Sequence, residues 1–109
     1  MLEAKYENTI QECRKRIAAN PRDFFAYYQL ARALEMSGDN DAAINVYRDA
    51  LAINPKDSYT HNFLGLSYRN KGLINEAITE FKKAIMYNGN YAFPYANLGV
   101  IYKMKGMYD

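Results

Sequence analysis

The chain has 109 residues, a net charge of +2 and a single cysteine, Cys13. That length buries a core without metal or disulfide staples, and one cysteine excludes an intrachain disulfide. The small charge gives no ground to expect a nucleic-acid or membrane partner, and no stretch has the length of a signal peptide or a membrane span, so a cytoplasmic chain is expected.

The first helix is predicted over roughly residues 4–18 from its apolar spacing. Ile10, Ile17 and Pro21 stand 34 residues before Ile44, Leu51 and Pro55. Cys13 takes the register position of Tyr47 and Phe81, so a small core-facing residue is expected there. Arg16 takes the position of Ala50 and Ala84. A charge there fits a terminal capping helix with a solvated outer face.

The second helix is expected over roughly 23–36, where apolar residues recur at i, i+3, i+4 and i+7. Its core pattern is Tyr27-x-x-Leu30-Ala31-x-x-Leu34. Gly38 stands where that helix should stop, because glycine accepts the left-handed C-terminal conformation. Asp39 then offers an N-cap for a third helix over roughly 41–53. Ala43 and Ala50 give that helix a small face, and Pro55 closes it.

The pattern returns after 34 residues. A fourth helix over roughly 58–70 carries His61-x-x-Leu64-Gly65-x-x-Tyr68, and Gly72 ends it. A fifth, over roughly 75–87, carries Ala77-x-x-x-Phe81 and Ala84. A sixth, over roughly 92–104, carries Tyr95-x-x-Leu98-Gly99-x-x-Tyr102 before Gly106. Asn20, Asn54 and Asn88 share one position, while Gly89 replaces the proline of Pro21 and Pro55 and should loosen its turn.

These residues resemble the tetratricopeptide repeat signature, an aromatic-x-x-Leu-Gly-x-x-Tyr helix followed by Ala-x-x-x-Phe and a closing proline. Ala31 departs from it, with a residue that is also small. The resemblance covers nearly the whole chain and implies an all-α solenoid of antiparallel helix pairs in a right-handed superhelix. The expected division is 1–21 as a capping half-repeat, 24–57 and 58–91 as repeats one and two, and 92–109 as an incomplete third repeat. Gly106-Met107-Tyr108-Asp109 would begin a turn into a further helix. Three readings of that end stay open: a chain cut from a longer array, another molecule covering the last helix, or a monomer with a frayed end.

The resemblance also implies that the first helices of the repeats line a concave groove. Beside the core stripe they carry a second one. In repeat one it includes Phe25, Tyr28, Arg32, Glu35 and Met36. Repeat two supplies Tyr59, Asn62, Leu66, Arg69 and Asn70, and repeat three Phe93, Ala96, Val100, Lys103 and Met104. Phe25, Tyr59 and Phe93 occupy one register position, and three large rings on a solvent-facing stripe point to a binding patch. The alternative is that these rings pack between repeats. Asn62, Asn70 and Asn97 suit a peptide backbone, because an amide both donates and accepts. Arg32, Arg69 and Lys103 tilt the stripe towards positive charge. The expected ligand is a protein or peptide with aromatic or aliphatic anchors and acidic residues. Family members that grip a terminal carboxylate use a Lys/Asn/Asn/Lys/Arg clamp. Here those positions hold Tyr28, Arg32, Phe63, Phe93 and Asn97, so that recognition is not expected.

Nothing in the pattern suggests catalysis, a cofactor or a metal. His61 stands in an aromatic packing position, and one histidine with one cysteine cannot close a zinc site. Asp39 and Asp41 are explained by a helix start. The expected function is a protein-interaction scaffold. The alternatives are a self-association module acting through the last helix, a non-catalytic docking arm of a larger enzyme, and, weakest, RNA binding, which the groove charge does not support.

Overall fold

The computed structural model describes residues 2–106, all helix and turn. Met107, Tyr108 and Asp109, expected to lead into a further helix, lie outside the described residues. Six helices follow one another: α1 Leu2–Ala19, α2 Phe24–Met36, α3 Asn40–Ile53, α4 Ser58–Asn70, α5 Ile74–Tyr87 and α6 Ala92–Lys105. The sequence-based boundaries agree to within two residues. The helices form two compact units, Met1–Pro55 and Lys56–Asp109.

Local chemistry sets the helix ends. The side chains of Asp23, Asp39 and Asp57 accept hydrogen bonds from the backbone N–H of Ala26, Ala42 and Thr60, three donors that an uncapped first turn leaves orphaned. At the other end Gly38 adopts φ +96°. The N–H of Asp39 reaches back to the Leu34 carbonyl at 2.9 Å, and that of Gly38 to the Glu35 carbonyl at 3.0 Å. This is the paired closure that a left-handed residue after a helix permits. Gly72 repeats it at φ +82°, with Leu73 N–H on the Tyr68 carbonyl.

In the first unit α2 lies between α1 and α3, which do not touch each other. Ile10 and Cys13 of α1, Leu30 and Leu34 of α2, and Ile44 and Tyr47 of α3 are buried. Arg16 is exposed, and it reaches the start of α2. Its guanidinium pairs with Asp23 at 3.2 Å and donates to Gln29 at 2.8 Å.

In the second unit α5 packs against both α4 and α6, and α4 touches α6 lightly. Phe81 is fully buried, between Ala77 and Ala84 on the same face of α5. Burial of a side chain of that size stabilises by about 1.5–3 kcal/mol. Small residues decide how near the helices come. A Cβ added to Gly65 would lie 2.7 Å from the Phe81 ring, so α4 approaches α5 more closely than an alanine allows.

The turn at Gly89 has the same anchor as the one at Pro21. Tyr95 donates its hydroxyl to the Gly89 carbonyl at 3.0 Å, as Tyr27 does to the Pro21 carbonyl at 2.9 Å. The loosening expected from glycine is thus opposed by a tyrosine latch.

Candidate protein-binding faces

On α2 the second stripe begins with Phe25, which is 54% exposed, although its neighbour Ala26 is fully buried. The Phe25 ring meets Tyr28 at 5.9 Å between centroids, and Phe24 stacks on Tyr28 at 6.3 Å. One turn further, Arg32 is half-buried and its Nη1 lies 3.4 Å from Glu35. Glu35 in turn accepts the buried Tyr47 hydroxyl at 2.6 Å. Burial alone would lower the affinity of Arg32 for its proton, but Tyr47 and Glu35 outweigh it and hold the guanidinium charged. Burial and the Glu35 carboxylate push the Tyr47 hydroxyl well above the ordinary tyrosine range, so it remains a donor.

These α2 residues border an open cavity of ≈ 340 Å³. Phe25, Tyr28, Arg32 and Met36 form one wall with Gln29 and Ala33, and α1 supplies Tyr6 and Thr9 to the other. Neither α1 residue belongs to the expected stripe, because α1 is expected only to cap the array. Thr9 stands at the register position of the buried Ala43 and Ala77, and Tyr6 at that of Asn40 and Ile74. Only the larger residue at the alanine position was a signal.

On the second unit Tyr59 is 49% exposed and Phe93 65%, so neither ring is sealed between helices. They belong to one aromatic cluster, because Tyr91 lies between them, 4.7 Å from Tyr59 and 5.8 Å from Phe93. Tyr91 was not among the expected residues. Its signal was its register: positions 23 and 57 hold the capping Asp, and position 91 holds a ring that makes no side-chain cap.

Two of the expected amides are engaged inside this unit. Asn62 is 2% exposed. Its Nδ2 donates to the Tyr91 hydroxyl at 3.3 Å and its Oδ1 accepts from Asn97 Nδ2 at 2.9 Å. This corrects the expectation that Asn62 faces a ligand: a buried amide needs partners, and Tyr91 and Asn97 supply them. Asn97 is half-buried, as are Leu66 and Arg69. Val100 and Lys103 are exposed on α6.

His61 is buried, as its packing position implied. Its Nδ1 lies 2.7 Å from Glu80 Oε1 and its ring 5.4 Å from Tyr87. Cys13 is buried too, and burial raises its thiol above the usual range, which opposes the reactive thiolate. Among the described residues no helix is long and apolar enough to cross a membrane.

Comparison with known proteins fits this architecture. A family described as tetratricopeptide repeat matches residues 24–66, and one described as TPR repeat matches residues 65–106. No curated protein matches the chain. Among solved structures, one of MamA is 28% identical over 90% of this chain, with a TM-score of 0.86. A second, of MamA AMB-1, is 32% identical over 77% of it, with a TM-score of 0.74. A third, of MamA from Desulfovibrio magneticus RS-1, is 21% identical over 95%, with a TM-score of 0.87, and shows the fold alone. The chain spans 57%, 49% and 59% of those three chains respectively. The repeated register, the helix pairs and the two matches together show that this chain belongs to the tetratricopeptide repeat family.

Proposed function

We propose that the chain is a protein-interaction module that holds a segment of a partner protein on the ring-bearing faces of its first helices. The observation that carries this reading is the exposure of Phe25, Tyr59 and Phe93 at one register position, each beside a buried neighbour, Ala26, Thr60 and Pro94. The helices spend small or polar residues on packing and leave the large rings outside. Such rings bring much contact area at little conformational cost. Arg69 and Lys103 add positive charge to the faces of α4 and α6, which favours an acidic partner segment. No part of this reading uses catalysis, a cofactor or a metal.

The test is affinity capture with this chain, followed by titration of the retained partner. Tyr59→Ala and Arg69→Ala should each weaken binding about tenfold and leave helicity unchanged. Unchanged affinity in both variants would move binding to another surface.

Self-association is the second reading, and α6 is the observation that favours it. Tyr95 and Gly99 are exposed, whereas their register equivalents His61 and Gly65 are buried under α5. A second copy of the chain is one source of a covering helix. Sedimentation across a concentration series decides this, because a single monomeric species throughout removes it.

A further inference from the structure

We propose that the cavity between α1 and α2 is an anchor site for an acidic linear segment of a partner, seating one large aliphatic or aromatic side chain beside a carboxylate held by Arg32. This rests on the protein-binding reading above and names the place and the chemistry of one contact.

The cavity measures ≈ 340 Å³, within the range of about 300–1,000 Å³ typical of ligand sites. Its walls are mostly apolar. Tyr6 closes the α1 side, and Phe25, Tyr28 and Met36 close the α2 side. The rings are braced before any ligand arrives, because Tyr28 contacts both Phe24 and Phe25. A braced pocket loses less entropy on binding. Met36 is 45% exposed at the rim, and its unbranched thioether adapts to anchors of different shape.

Charge selects the rest of the ligand. No carboxylate borders the cavity, and its one charged residue is Arg32. Glu35, the acidic neighbour of Arg32, already accepts the Tyr47 hydroxyl. A guanidinium carries five donors in a planar fork, enough to serve its neighbours and a carboxylate together. A basic segment would meet the like charge of Arg32. A purely apolar one would strip water from Arg32 with no new partner.

The test is selection of random linear peptides displayed on phage against the full chain. A synthetic copy of the enriched peptide is then titrated by fluorescence anisotropy. Enriched peptides should pair Leu, Met or Phe with a neighbouring Asp or Glu. Arg32→Gln and Met36→Ala should each weaken them about tenfold, with helicity kept, and added salt should weaken binding to the wild type more than to Arg32→Gln. Met36 is half in solvent, so its truncation tests binding without threatening the fold. Peptides that lack acidic residues overturn the proposal. Peptides that respond to Tyr59→Ala but to neither α2 variant overturn this site and sustain the wider reading. A chain that enriches no peptide fails both.

Discussion

The Phe81 ring occupies the space that a side chain on residue 65 would need, with Cε1 2.7 Å from where a Cβ would stand. Phe81 is fully buried and cannot swing into solvent. Gly65→Ala should therefore destabilise by roughly 1–3 kcal/mol through overpacking, more than the ~1 kcal/mol that alanine gains in a helix. Gly99 holds the same register position on α6 and has nothing within 4 Å of an added Cβ. Gly99→Ala should stabilise by up to about 1 kcal/mol. Thermal denaturation of the pair checks both signs, and equal shifts would contradict the packing account.

His61 and Glu80 join α4 to α5 by a buried contact of 2.7 Å. Lys83 stands 3.8 Å from the other Glu80 oxygen. Removing one partner leaves the other group short of a hydrogen bond in a dry place. A double-mutant cycle of His61→Ala and Glu80→Ala should give a coupling of roughly 1–3 kcal/mol. A coupling near zero would leave the Tyr87 ring contact as the role of His61.

Tyr47 gives a pH signature. Its ordinary value is 10.0, and burial followed by the Glu35 carboxylate pushes the folded value well above that. Above about pH 10 the unfolded tyrosine loses its proton while the folded one keeps it. The unfolded state then binds fewer protons, so stability falls as pH rises. Tyr47→Phe should cost roughly 1.5–3 kcal/mol at neutral pH, where a hydrogen bond to a carboxylate is lost. It should also decline less steeply than the wild type above pH ~10. Parallel alkaline profiles would contradict this.

The hydroxyl of Ser67 is buried with no hydrogen-bond partner among the described residues. Ser67→Ala removes an unsatisfied group and adds a better helix former. It should raise stability by about 1 kcal/mol, read from urea denaturation. A loss of stability would reveal a partner for the hydroxyl.

Leu73 stands at the N-cap of α5 and makes no side-chain cap bond, although its register equivalent Asp39 caps α3. Leu73→Asp should stabilise by ~0.5–1 kcal/mol. A decrease would show that the half-exposed leucine contributes more by packing than a cap returns.

Six helices, their order and their ends were legible in the order of residues. Local forces set them: apolar spacing at a helical period, aspartates before first turns, glycines after last ones. The 34-residue register also marked Phe25, Tyr59 and Phe93 as equivalent before any coordinates. Periodicity places a side chain on a face of its own helix and is silent about what stands opposite. Asn62 shares a register position with the half-buried Tyr28, yet Tyr91 and Asn97 close over it. Gly65 and Gly99 have one pattern and opposite surroundings, because α5 covers the first and no helix among the described residues covers the second. Tyr6 joined the α2 rings only because α1 packs beside them. Those outcomes depend on distances between helices, which packing determines through contacts that no single helix encodes.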